Sequence, residues 1–167
     1  MGFYRGPHIV TDGLIYAIDA GSERSYPGSG TAVTAITGVG NGTLTNGVGF
    51  DSANGGSWTF DGADDYITFG NNFLVPGISQ YDTITNFTID VWVNWDSFAA
   101  TGNHDEIISW WRSGGSTYND GFLGTTINSS QGGSAANPGI RFGDGWTNTG
   151  VTFTSATDTG KWFNIVA

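Results

Sequence analysis

"FDGADDYITFG", residues 60–70, sets Asp61, Asp64 and Asp65 between Phe60 and an alternating Tyr66-Ile67-Thr68-Phe69. The three carboxylates would suit a metal, acid chemistry or a tight turn. Ile67 and Phe69 fall two apart with a polar residue between them, the period of a strand with one buried face. Aspartates beside a glycine serve turns well, because their side-chain oxygens accept hydrogen bonds from nearby backbone N–H groups. The stretch therefore reads as strand, turn, strand. Phe60 ends one strand, Gly62 and Asp64 shape the turn, Asp65 caps the returning strand, and Ile67 and Phe69 enter a core. The alternative is calcium at Asp61, Asp64 and Asp65, since Ca²⁺ takes about six to eight oxygens from carboxylates, carbonyls and water. Asp19 is a further candidate. The regular EF-hand spacing is missing, and the turn reading requires no cofactor.

The chain around this stretch has 167 residues, the size of one ordinary domain. Charged residues are only 12%, while 28 glycines and 14% aromatics point to a turn-rich all-β chain with a real core. Thirteen Asp stand against Glu23 and Glu106, and Asp favours turns where Glu favours helices. Lys161 is the one lysine, and the net charge is −10. That balance argues against nucleic acid and anionic lipid as partners, both of which need a basic footprint. It permits divalent cations. No cysteine is present, so disulfides and thiolate metal sites are excluded. "MGFYRGPHIV" has no apolar h-region and does not read as a signal peptide, and no window reads as a membrane span.

No helix is convincing, because Gly or Asn-Gly interrupts each candidate. Strands read better. "GLIYAIDA" (13–20) alternates. "FTIDVWVNW" (87–95) is the best strand, with Phe87, Ile89, Val91, Val93 and Trp95 on one face and Thr88, Asp90, Trp92 and Asn94 on the other. "EIISWW", "GFLGTTI", "GIRFG", "GVTFT" and "KWFNIVA" follow. Many short strands separated by turns mean a β-sandwich or barrel.

Several of these stretches together resemble the concanavalin A-like lectin/glucanase superfamily in its laminin G-like branch. They are "GLIYAIDAG", "NGTLTNGVGFDSANGGSWTFDGADDYITFG", "FTIDVWVNW", "EIISWW" and the closing "GKWFNIVA". The opening "GPHIVTDGLIYAIDAGSERSYPGSGT" resembles virion structural proteins of tailed phages, notably T4-like cyanophages. The resemblance covers nearly the whole chain. It implies an N-terminal arm over residues 1–12 and an antiparallel β-sandwich, a jelly roll, over residues 13–167. Family members continue past the Gly-x-Trp strand, so the sandwich is expected to be C-terminally incomplete. Either the sequence stops short, or another chain supplies the closing strands.

The glucanases of this superfamily carry a Glu-x-Asp-x-Glu pattern on one strand, which sets acid and nucleophile about 5–5.5 Å apart. Here Asp90 takes the central place, while Thr88 and Trp92 occupy the outer two. A lone Asp cannot serve as both acid and nucleophile, so no catalytic residue is assigned. His104-Asp105-Glu106 reads as a solvated loop, because strand neighbours point to opposite faces and do not converge.

Aromatics with polar neighbours are the pattern that sugars stack on, with an apolar wall and a few polar anchors. The candidate carbohydrate-binding residues are Asp90, Trp92, Asn94, Trp111, Arg112 and Tyr118. Core or second-sheet packing is the competing reading of Trp92. Phe3, Tyr4 and Arg5 form an aromatic-plus-Arg cluster of the sort interfaces use, and would make the arm an assembly element. The resemblance then implies a non-enzymatic virion structural protein, a decoration or fibre-associated surface protein made in the host cytoplasm. Its partners would be other virion proteins, copies of itself and host-surface glycans. The alternative is a free carbohydrate-binding module or a glucanase-like hydrolase.

Overall fold

A computed structural model of the chain describes residues 12–38, 40–69, 88–97, 104–110, 121–127, 135–142, 145–148 and 153–166. The chain divides into two compact units, Met1–Thr83 and Ile84–Ala167. Both are built from antiparallel strands. Among the described residues, helix is limited to one 3₁₀ turn, Ala53–Gly55, and one short α-helix, α1 (Ser155–Asp158). Neither is long or apolar enough to cross a membrane.

The first unit has five short strands: β1 (Ala32–Val33), β2 (Gly42–Thr45), β3 (Gly49–Asp51), β4 (Ser57–Thr59) and β5 (Tyr66–Thr68). One sheet runs β1-β2-β5, and β3-β4 forms a separate hairpin. The stretch at 60–70 therefore does more than reverse the chain. It carries the chain from the hairpin, where β4 pairs β3, to the outer place beside β2, where Ile67 lies opposite Leu44. Both sheets feed one core. Tyr26, Val33 and Leu44 are its buried members, and Ile18, Val48, Phe50, Trp58 and Ile67 pack on them. Phe60, by contrast, is exposed.

Residues 14–19 form no strand, contrary to the alternation of "GLIYAIDA". Ile18 does pack on the core, and the Tyr16 ring meets Phe69 edge-on at 5.2 Å. Outside this inward packing, the backbone finds other partners than a ladder. The Ala17 carbonyl accepts from Ile36 N–H at 2.8 Å, and Asp19 N–H donates to Ser25 Oγ at 3.1 Å. Ser25 is the buried polar residue here, and its hydroxyl also donates to the Thr34 carbonyl at 2.7 Å. A buried hydroxyl filled on both sides carries no desolvation penalty, so it can replace a ladder locally.

Two backbones meet closely in this unit. A Cβ on Gly21 would stand 1.8 Å from the Gly55 carbonyl oxygen, and one on Gly56 would stand 2.7 Å from Gly21 Cα. The β3–β4 connection thus presses against the turn after Asp19, which only glycine at both places allows.

The second unit holds β6 (Asp90–Asn94), β7 (His104–Trp110), β8 (Gly121–Ile127), β9 (Ala135–Phe142), β10 (Gly145–Asn148), β11 (Phe153–Thr154) and β12 (Trp162–Val166). One sheet runs β10-β9-β8-β7, with β11 also on β9, and β12 pairs β6. His104-Asp105-Glu106 begins a strand, not the loop that its acidic composition suggested; β7 pairs β8 from His104 onward. Pro138, which has no N–H, sits on β9 between the β11 pairing at Ala135–Ala136 and the β10 pairing from Gly139. A proline is tolerated where an edge of the ladder is interrupted. Trp95, Phe153 and Ile165 are the buried core, and Ile89, Val91, Val93, Ile107 and Phe163 pack against them. Side chains from β6, β7, β11 and β12 thus share one apolar cluster.

Candidate functional site

The alternation of residues 89–95 holds in the structure. Val91 and Val93 face the core, and Asp90, Trp92 and Asn94 are exposed. Phe87 lies outside the described residues. On the partner strand, Phe163 and Ile165 face the same core, while Trp162, Asn164 and Val166 stand outside. The register sets Trp162 opposite Asn94, Asn164 opposite Trp92 and Val166 opposite Asp90. One face of this ribbon is therefore apolar and packed, and the other presents two indoles, two amides and a carboxylate.

Trp92 is 65% exposed, which overturns its reading as a core residue. Trp162 is 42% exposed. A large aromatic surface left in water is costly, since each buried Å² of apolar area contributes roughly 25 cal/mol. Across the strands, Asn164 Nδ2 donates to Asp90 Oδ1 at 2.6 Å and lies 3.5 Å from the Val91 carbonyl oxygen. That bond holds one Asp90 oxygen and the amide in a fixed relation. The Asn94 side chain and both indoles stand on the exposed side of the ribbon. The face offers flat apolar surfaces ringed by donors and acceptors.

Trp162 and Asn164 escaped the sequence reading. Their signal was the alternation of "KWFNIVA", which puts Trp and Asn on the face opposite Phe163 and Ile165. What alternation alone lacked was the partner strand. Of the other candidates, Trp111, Arg112 and Tyr118 lie outside the described residues, as do Phe3, Tyr4 and Arg5 of the arm. The structure brings Asp90, Trp92 and Asn94 together on one exposed strand face.

The acidic cluster is a second constellation. Carboxylate oxygens of Asp61, Asp64 and Asp65 lie within 4.8 Å of one another, close enough to be oxygen ligands of one hard cation. Two of these carboxylate oxygens are already turned on the local backbone, while Asp65 Oδ1 is buried without a hydrogen-bond partner. Asp61 Oδ1 accepts from Ala63 N–H at 2.8 Å and from Asp64 N–H at 3.3 Å. Asp65 Oδ2 accepts from Asp61 N–H at 3.0 Å, and Asn46 Nδ2 donates to the Asp64 carbonyl at 2.8 Å. This is an Asx-type turn pinned to the end of β2.

The Ala63 N–H, foremost among several backbone donors, holds the Asp61 carboxyl below its ordinary value. A depressed folded-state value means that the contribution is present above the ordinary carboxylate range and is lost as pH falls through the folded value. Asp61→Ala is expected to lower the melting temperature slightly at neutral pH. The gap from wild type should narrow below about pH 4, where unfolded Asp protonates, and close once folded Asp61 is protonated. Thermal melts over a pH series check this; a pH-independent gap would assign the effect to something other than the carboxylate.

Comparison with protein-family models, curated proteins and solved structures gives no match to this chain.

Proposed function

We propose that the chain is a non-enzymatic virion surface protein with a lectin-like jelly-roll sandwich, whose outward β6–β12 face meets glycans on a host surface. The exposed Trp92 and Trp162 among Asp90, Asn94 and Asn164 carry the glycan part of this reading. Sugar rings present C–H faces that stack on indoles, while amides and carboxylates pair with their hydroxyls. The carboxylate position supports binding over hydrolysis. Asp90 pairs with an amide, and its neighbours on the strand face are Thr88 and Trp92, where a hydrolase needs a second carboxyl group. The virion part rests on the resemblance of residues 6–31 to phage structural proteins and on a charge that disfavours nucleic acid and membrane. In this reading the arm with Phe3, Tyr4 and Arg5 joins the domain to other virion proteins or to sister copies. No cofactor is needed, and calcium at Asp61, Asp64 and Asp65 would serve only to stiffen their turn.

A glycan array probed with the purified chain tests the binding, and immunogold labelling of intact particles tests the location. Binding to a defined subset of glycans is expected. Trp92→Ala should weaken it by roughly tenfold or more, the factor that about 1.4 kcal/mol represents. Retained affinity in that variant would remove this face as the site, and silence on the array would leave a purely structural role.

A further inference from the structure

The β6–β12 face contains the same tripeptide pattern twice, Trp92-Val93-Asn94 and Trp162-Phe163-Asn164. Because the strands are antiparallel and Trp92 pairs Asn164 while Asn94 pairs Trp162, a local two-fold of the ladder exchanges the two copies. Each indole therefore has the other strand's amide directly across from it. The two indoles occupy diagonal positions, whose backbone separation in such a ladder is about 7–8 Å. That distance exceeds the width of one sugar ring and suits neighbouring rings of a chain.

Resting on the glycan reading above, we infer that this face takes an uncharged linear oligosaccharide, with Trp92 and Trp162 each stacking one of two nearby rings, and does not recognise a single terminal sugar. Each copy supplies one flat apolar wall and one amide, so the face consists of two like subsites. The ends of the platform differ. At one end Asp90 lies opposite Val166, and Asp90 is tied to Asn164, which gives the bound chain a polarity. Charge argues against the anionic alternatives. Among the residues of β6 and β12 the only charged group is the Asp90 carboxylate, on a chain of net charge −10, so uronate or sulfate chains are disfavoured.

The test is a calorimetric titration of the whole chain with neutral cello- and chito-oligosaccharides, from the monosaccharide upward, beside polygalacturonate as the anionic probe. Affinity is expected to rise by roughly tenfold or more between the monosaccharide and the trisaccharide and then to level off. Trp162→Ala should abolish that gain and leave the weak monosaccharide binding in place. Trp162→Phe, which keeps an aromatic wall, should retain part of the gain and guards against a loss caused by misfolding. Equal affinity for monosaccharide and chain, or preference for polygalacturonate, would overturn the inference while glycan binding itself stands. So would array binding confined to branched terminal sugars. No binding on the array or in the series removes the glycan reading, and this inference with it.

Discussion

Trp95→Ala lowers the unfolding free energy by about 3–5 kcal/mol, the cost of truncating a large buried aromatic that leaves a cavity behind. Trp95 is 8% exposed, and its ring lies 5.4 Å from Phe153 and 6.3 Å from Phe163. Phe153 and Phe163 are themselves 4.6 Å apart, so the three rings form one cluster. Removing the largest member strips contacts from both other rings, and packed neighbours collapse only partly into the space. Trp92→Ala is the internal control. It removes the same residue type three positions away on a strand face open to water, and its stability cost should stay within about 0.5 kcal/mol. Urea unfolding followed by circular dichroism measures both. Similar costs for the two variants would refute the assignment of faces along β6, and the assignment of the site with it.

Gly56→Ala is expected to be a strongly damaging single-methyl substitution in the first unit. Gly56 has φ +109°, and its new Cβ would lie 2.7 Å from Gly21 Cα and 3.1 Å from the Ala20 carbonyl oxygen. Those neighbours are backbone, which cannot swing aside as a side chain can. Overpacking of this kind costs about 1–3 kcal/mol, and a side chain held at such a φ adds strain of about 1–3 kcal/mol. Gly55→Ala separates the two effects. Gly55 has φ +95° but nothing within 4 Å of its Cβ, so only the strain applies. Thermal melts should rank wild type above Gly55→Ala and Gly55→Ala above Gly56→Ala. An inverted order would mean that the turn after Asp19 and the β3–β4 connection do not touch.

The contrast between these two units shows which features a sequence reveals. Inward and outward faces of "FTIDVWVNW" are legible because strand geometry is periodic, and Val91, Val93 and Trp95 lie where that period puts them. The aspartate turn is legible because Asp61 bonds to N–H groups two and three residues away. Residues 14–19 show the limit of periodicity. Their alternation reports one packed side, with Ile18 in the core, but a strand also needs a neighbour, and their backbone partners include a serine hydroxyl and the N–H groups of Ser22 and Ile36. The pairing of β4 with β3 and of β5 with β2 was hidden for the same reason. The site was half legible. Asp90, Trp92 and Asn94 lie on one strand and could be read together, whereas Asn164 meets Asp90 across 74 residues of chain. No local pattern specifies that register.

This long-range pairing also orders events during synthesis. The first unit draws its core from residues 18–67, so its contacts can close soon after that stretch leaves the ribosome. The second unit cannot do so. Val91, Val93 and Trp95 emerge early, but Phe153, Phe163 and Ile165, which cover them, are made some sixty to seventy residues later. Through that interval the apolar face of the strand lacks Phe153, Phe163 and Ile165, and such non-local closure is slow and prone to aggregation. Charge on the opposite face of β6, at Asp90, together with the polar amide of Asn94, is then the strand's own protection against pairing with its neighbours on a polysome.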